Sequence, residues 1–207
     1  MSNNKGVSFV YVAITILVVS ALGYFLFKSS PQNSIGADRG QSSTPTNNGP
    51  LDSLIGKPLP DIQLTDKDGK TYTNESFKGK NTVLFFNEGL MCYPACWNQI
   101  AGFGTDSRFN TDQIQAFSVL VDSSSDWQRA IEKMPELAKA GTLFDIGGSV
   151  SGKLGLLNLP SSMHRGSLPG HTYIVLDKEG IVRYAKDDPN MAMANDLLIK
   201  EISGFND

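Results

Sequence analysis

The sequence predicts an α/β domain whose central sheet is covered by helices on both faces, behind an apolar N-terminal segment. Three observations carry that expectation. Short apolar runs rich in β-formers recur as V-L-F-F (Val83 to Phe86), Q-A-F-S-V-L-V (Gln115 to Val121) and H-T-Y-I-V-L (His171 to Leu176). Stretches with apolar residues at helical spacing lie between and after them, the alternation that builds a sheet with helices on its faces. Turn pairs then mark hairpins, at Asp68-Gly69 and again at Asp177-Lys178-Glu179-Gly180.

Taken in order, the chain opens with Val7 to Phe27, which carries no charged residue and only Ser8, Thr15 and Ser20 as polar interruptions. About twenty apolar residues match the hydrocarbon thickness of a bilayer for a helix. A cleaved signal peptide would have a shorter run followed by a small-x-small site. Here the run ends in bulky Tyr24, Phe25, Leu26 and Phe27, so residues 1–28 are expected to be an uncleaved, single-pass transmembrane anchor lying in lipid. Lys5 and Lys28 flank it without setting orientation by charge. The domain after it is expected on the extracytoplasmic side, as an anchor of this kind commonly exports the rest of its chain. Residues 29–50 are dominated by Ser, Thr, Asn, Gly, Pro and Gln; they cannot bury enough surface to order themselves and read as a disordered linker.

The folded domain is expected over residues 51–207. Asp61 to Phe77 alternates apolar and polar residues around Asp68-Gly69 and reads as a hairpin. After the strand Asn81 to Phe86 comes a helix with Trp97, Ile100, Ala101 and Phe103 on its inner face. Ser125 or Asp126 can cap a further helix that Pro135 ends, and Gly141 marks the stop of the segment beyond it. Thr142 to Asp145 reads as a short strand and Ser149 to Leu156 as a short helical piece. Ile181 to Ala185 closes the second hairpin. Asp188-Pro189 is expected to start a last helix with Met191, Ala194, Asn195, Leu198 and Ile202 on one stripe. Net charge is only −3 over 207 residues, and no basic patch suggests a nucleic-acid partner.

The chemistry centres on Gly89 to Gln99, G-L-M-C-Y-P-A-C-W-N-Q, which holds the only two cysteines. They fall where a buried strand hands over to a helix. Free backbone N–H groups and the positive end of the helix dipole stabilise an anion at such a junction. A thiol there should ionise more readily than a free one, and the thiolate is the reactive form. Pro94 fits, since the first turn tolerates a missing N–H. Residues four apart on a helix have α-carbons about 6 Å apart, near the upper end of disulfide geometry. A Cys92–Cys96 bridge is therefore feasible if Cys92 sits just before the regular helix. Three readings stand: a structural disulfide, which would constrain so short a loop little; two unrelated buried thiols; and a redox-active or metal-binding pair. A four-ligand zinc site lacks donors, because no second cysteine pair exists and His164 and His171 are the only histidines.

This order of elements, with a cysteine pair after the first central strand, resembles the thioredoxin fold, and more closely the AhpC/TSA redoxins. That group holds peroxiredoxins and membrane-tethered thiol–disulfide oxidoreductases. The resemblance runs from Leu54 to Phe205. It is carried by P-D-I-Q-L-T-D-K-D-G-K-T-Y ending in F-K-G-K, by V-L-F-F before the cysteines, by F-D-I-G-G-S-V-S-G-K-L-G-L and by P-G-H-T-Y-I-V-L-D-K-E-G-I-V-R-Y. It implies a thioredoxin-like mixed sheet flanked by helices, and thiol-dependent oxidoreductase activity without a cofactor. Cys92 would be the nucleophile and Cys96 its resolving partner, with an external thiol or disulfide protein as donor or acceptor.

The chain also departs from the family pattern. Peroxiredoxins of the best-known kind carry P-x-x-x-T/S-x-x-C, with an arginine beside the peroxide; the matching positions here are Phe85 and Gly89, and His171 precedes Thr172 where that arginine is expected. The loop before the last hairpin usually carries a cis-proline facing the cysteines, for which Pro169 is the candidate. His171, if it faces the cysteines, could hold a proton for the leaving thiol or lower the pKa of Cys92; a strand-end histidine bonded to backbone is the plainer reading. Glu88 could relay protons, though an exposed loop residue is the simpler expectation, and Trp97 reads as core or as a cover over the sulfurs. Copper is the alternative. Two thiolates at C-x-x-x-C with an imidazole suit Cu(I), making Cys92, Cys96 and His171 a candidate ligand set. The Sco copper chaperones share that spacing, a thioredoxin-like fold and an N-terminal anchor, although their histidine lies somewhat earlier than His171.

Overall fold

The computed structural model describes residues 49 to 206. The expected anchor at residues 1–28 and all of the expected linker but its last two residues lie outside that range. Among the described residues no helix is long and apolar enough to cross a membrane.

Strand β1 (Gln63–Thr65) and strand β2 (Thr71–Thr73) form the expected hairpin. Its turn is held by Asp66 Oδ1, which accepts from the Asp68 and Lys70 N–H groups, each at 2.9 Å. Strand β3 (Asn81–Asn87) is buried along its whole length. Helix α1 (Ala95–Thr105), strand β4 (Ile114–Leu120), helix α2 (Ser124–Lys133) and strand β5 (Gly141–Phe144) come next. The chain closes with helix α3 (Ser149–Lys153), strands β6 (Thr172–Leu176) and β7 (Val182–Asp187), and helix α4 (Asn195–Ser203).

One seven-stranded sheet runs β2-β1-β5-β4-β3-β6-β7. β3 pairs parallel with β4, and β4 with β5; β6 runs antiparallel between β3 and β7, and β1 antiparallel to β5. This is the thioredoxin-like mixed sheet with flanking helices. Because side chains alternate across a strand, β3 serves two cores at once. Val83 and Phe85 join Cys92, Cys96, Trp97, Trp127 and Leu198 on one face. Leu84 and Phe86 join Leu51, Leu64, Phe77, Val150 and Leu156 on the other.

The boundaries depart from expectation in four places. Helix α2 is capped by Ser123, whose Oγ accepts from the Asp126 N–H, so the cap lies ahead of Ser125 and Asp126. Gly141 begins β5 instead of ending a helix. Pro94 occupies the cap position of α1, one residue before its first turn. The last helix starts at Asn195, not at Asp188-Pro189. Asp188 organises a turn instead: its carbonyl accepts from the Met191 N–H at 3.0 Å and its Oδ2 from the Ala192 N–H at 3.2 Å. That turn brings the stretch before the helix against Gln99 and Tyr173: the Ala194 N–H donates to Gln99 Oε1 at 2.7 Å, and the Tyr173 hydroxyl lies 3.5 Å from the Ala192 carbonyl.

Candidate functional site

The site forms where β3 ends. Asn87 Oδ1 accepts from the Gly89 N–H at 2.9 Å, turning the chain sharply as it leaves the strand. Gly89 has φ +57°, and a Cβ there would collide with the Asp122 carboxylate, so both backbone and space require glycine. Asp122 Oδ2 accepts from the Leu90 N–H at 3.1 Å, and Trp97 Nε1 donates to the Gly89 carbonyl at 3.1 Å. Burial pushes the Asp122 carboxyl above its ordinary value, with the Leu90 N–H pulling the other way. A 3-10 turn at Gly89–Met91 delivers Cys92, and α1 then places Cys96 in its first turn.

Cys92 and Cys96 are joined as a disulfide with Cα atoms 5.3 Å apart. The four-residue spacing can be bridged because Cys92 lies outside the regular helix, where its backbone (φ −104°) is free of helical geometry. Access is one-sided. Cys96 is 0% exposed and Cys92 2% exposed, while next to them Tyr93 is 69% and Met91 59% exposed. Beside them runs a groove of about 770 Å³ lined by Leu90, Tyr93, Trp97, Arg129, Lys133 and Met134. Trp97 is core and cover together: it is buried, and its ring meets Tyr93 and Trp127 edge to face.

His171 does face the cysteines. Its Nδ1 lies 3.6 Å from Cys96 Sγ, and its Nε2 lies 2.7 Å from the Tyr173 hydroxyl. The pairing β3–β6 explains why: Phe86 opposes Thr172, which leaves His171 just past the ladder, level with the chain entering the cysteine turn. Phe85 covers the imidazole edge-on at 4.6 Å and stacks on Tyr173 at 4.8 Å. Burial lowers the His171 pKa to about 4, against the opposing pull of Asp188, the Ala192 carbonyl and Asp187, while Lys186 adds to the lowering. The imidazole is therefore neutral at pH 7.

That shift has a thermodynamic consequence. A histidine whose folded pKa lies below its unfolded value takes up its proton more readily when unfolded, so stability present above pH 6.5 is lost as pH falls toward 4. By pH 5 the loss expected from this group is about 2 kcal/mol. Urea midpoints at pH 7 and pH 5 measure it: His171→Leu protein should lose less stability over that interval than the parent, by about this amount. An equal loss in both proteins would show that acid sensitivity lies elsewhere.

Two sequence expectations are corrected here. Glu88 is not an exposed loop residue; it is 1% exposed. Its Oε1 accepts from the N–H groups of Met163 (2.7 Å) and His164 (3.0 Å) and from Ser162 Oγ (3.4 Å), and its Oε2 meets His164 Nδ1 at 3.0 Å. Glu88 thus ties the end of β3 to a loop some 75 residues on, and none of these bonds reaches either sulfur. Pro169 is buried but trans; the cis peptide lies at Tyr93–Pro94, inside the cysteine loop itself. Sequence reasoning also misses Gln99, Tyr173 and Asn195, which the structure brings together behind His171. Gln99 reads as an ordinary polar helix position, and only its complete burial gives it away.

One ligand atom each from Cys92, Cys96 and His171 lies within 4.8 Å of the others, so the copper set is also a spatial set. Soft sulfur and a neutral imidazole nitrogen suit Cu(I) once the sulfurs are reduced.

Comparison with known proteins agrees with this architecture. Peroxiredoxin Q, chloroplastic, of Triticum aestivum is 32% identical over 126 residues, covering 60% of this chain and 55% of that protein. Its namesake in Populus jackii is 31% identical over 129 residues, covering 62% and 57%. The chain therefore spans little more than half the length of the curated relatives it matches. Among solved structures, Mycobacterium tuberculosis AhpC superposes with a TM-score of 0.60 at 18% identity, over 73% of this chain and 92% of that one. A yeast mitochondrial 1-Cys peroxiredoxin, described as resolved through glutathione/thioredoxin systems, gives 0.61 at 15% identity, over 73% and 76%. At these identities the structures speak for the fold alone. The AhpC/TSA family pattern matches residues 55–185, most of the described domain with β1 through most of β7, and the chain belongs to that family.

Proposed function

We propose that this chain is a membrane-tethered thiol-dependent oxidoreductase that cycles between a Cys92/Cys96 dithiol and the internal disulfide. The observation that carries the reading is the disulfide itself, set at the strand–helix junction with His171 Nδ1 3.6 Å from Cys96 Sγ. Cys92 is the nucleophile because it alone of the pair shows any surface. Its thiolate attacks a disulfide, or the outer oxygen of a hydroperoxide. Cys96 then resolves the mixed disulfide or sulfenic acid, releasing a thiol or water and forming the internal bridge. An external dithiol returns the two electrons by attacking Cys92 Sγ, with Cys96 as leaving group.

Each substrate has an observation in its favour. The peroxiredoxin relatives favour a hydroperoxide. Phe85 and Gly89 at the family's proline and threonine positions, and a buried neutral His171 where the arginine is expected, favour a disulfide partner. The exposed Tyr93 and Met91 beside the sulfurs give such a partner an apolar surface to meet. Peroxide consumption by the reduced full-length chain, set against insulin reduction by the same protein, decides between them. Protein disulfide exchange faster than peroxide consumption assigns the disulfide; the reverse assigns the peroxide; neither above the free-thiol background defeats the redox reading.

Val7 to Phe27 serves as the anchor, residues 29–50 as the tether and residues 51–207 as the redox domain, held on the extracytoplasmic side. The uncharged apolar run is what supports this. Retention in the membrane fraction after alkaline carbonate, with the domain open to protease only from the outer face, is the expected result.

Copper delivery is the second reading, favoured by the clustering of Cys92, Cys96 and His171. Copper would then be cargo. One Cu(I) per reduced chain, lost in both Cys92→Ser and His171→Ala, supports it; no binding by the parent chain removes it.

A further inference from the structure

Behind His171 lies a run of buried polar groups that the redox cycle does not use, and its donors and acceptors can be assigned from one end. Asn195 Nδ2 reaches the Gly102 carbonyl at 3.3 Å and the Asp106 carboxylate at 3.0 Å. A carbonyl can only accept, and Arg108 holds the Asp106 carboxyl well below its usual range, so it too accepts. Asn195 Oδ1 is thereby the acceptor for Gln99 Nε2 at 2.8 Å. Gln99 Oε1 in turn accepts from the Ala194 backbone N–H at 2.7 Å, which leaves the amide a single orientation.

The Tyr173 hydroxyl stands 3.0 Å from Gln99 Oε1 and 3.5 Å from the Ala192 carbonyl, both of them acceptors. Its one hydrogen goes to them. The 2.7 Å contact between Tyr173 and His171 Nε2 must then be made by a hydrogen on Nε2, because two acceptors that close would repel.

From this chain of obligatory donors and acceptors we infer that Gln99 and Tyr173 are positioning residues that lock His171 as its Nε2–H tautomer, aiming the bare Nδ1 lone pair at Cys96 Sγ. The inference rests on the proposed redox cycle and deepens it by assigning His171 to the resolving sulfur. In the reduced protein the Cys96 S–H donates to Nδ1. During resolution the Cys96–Cys92 bond forms, the bond from Cys92 to its oxygen or to the partner sulfur breaks, and the Cys96 proton passes by way of Nδ1 to the departing hydroxide or thiolate. Atoms and electrons balance with no further reagent. With the opposite tautomer an N–H would face Cys96, and the thiol would have no acceptor there. Burial of the ring, covered by Phe85, keeps water from supplying one.

The test is nitrogen NMR of the full-length chain in detergent, labelled with [15N]histidine, with His171→Asn identifying the signals. Read on the oxidised protein, it needs no turnover. The expected spectrum shows a protonated Nε2 and an unprotonated Nδ1 for His171. Tyr173→Phe removes the acceptor 2.7 Å from the Nε2 hydrogen, so the tautomer should shift toward Nδ1–H. Closure of a preformed Cys92 mixed disulfide should then slow about tenfold, the effect of leaving one buried donor unpaired. Gln99→Glu keeps an oxygen acceptor for Tyr173 and, protonated on the oxygen that faces Asn195 Oδ1, should retain the parent tautomer and most of the closure rate. An Nδ1–H signal in the parent protein overturns the inference, and that spectrum requires no variant to fold. A tautomer or a closure rate that Tyr173→Phe leaves unchanged overturns it as well. If the parent shows Nε2–H but the chain exchanges no thiols, the redox reading is what has failed.

Discussion

Cys92→Ser protein is expected to lose catalysed thiol turnover by at least about a thousandfold, falling to the background of free thiols in solution. The reason is geometric as well as chemical. Cys96 is fully covered, so it cannot stand in for the missing nucleophile. Cys96→Ser should behave differently: Cys92 still attacks, one partner is captured per chain, and the adduct persists because no second sulfur lies 5.3 Å away by Cα to displace it. Intact mass after exposure to an aromatic disulfide, then after gel filtration, separates the two. A persistent adduct on Cys92→Ser, with none on Cys96→Ser, would reverse the assignment of roles.

The largest effect on stability is expected from Gly170→Ala. A Cβ there would strike Ser161 Oγ, the Ser161 carbonyl carbon and the Ser162 N–H group, two of the three being backbone. Ser161 cannot step aside, because its N–H donates to Asp187 Oδ2 at 3.0 Å and its hydroxyl to Asp187 Oδ1. Asp187 is buried and also accepts from Thr172 Oγ1 at 3.2 Å, so relief would break a fully buried polar cluster. The expected loss is about 4 kcal/mol, beyond the usual range for one methyl group. Gly152→Ala in α3 meets only Leu157 Cδ1 at 3.5 Å, and there the usual helix preference should make alanine neutral or favourable by up to about 1 kcal/mol. Urea midpoints of the two variants give the comparison, and equal stabilities would show that the Gly170 backbone moves freely.

Much of the fold is legible because it rests on local patterns. V-L-F-F reads as a buried strand, and its alternation supplies both cores of β3. D-G at Asp68-Gly69 marks a hairpin whose turn bonds are all within five residues. The cysteine junction is legible for the same reason: strand, turn and helix are contiguous. What escapes is whatever depends on distant partners. Glu88 next to glycine looks like loop, and only Ser162 to His164, folded back onto it, make it a buried clamp. Gln99 looks like the wet side of a helix, and only the 188–194 turn covers it. The turn hides for its own reason, since Asp188-Pro189 carries a helix-start signature that the Asp188 carbonyl and carboxylate spend on a turn.

The near-complete covering of the Cys92–Cys96 bond governs how long the oxidised form lasts. Small thiols colliding with the surface meet Tyr93 and Met91 far more often than sulfur. Reduction of the oxidised chain is therefore expected to be slow with small thiols and faster with a partner whose surface engages Tyr93 and Met91. A population of such chains would work as a slow recorder, each molecule retaining its last oxidation until something engages the loop and erases it.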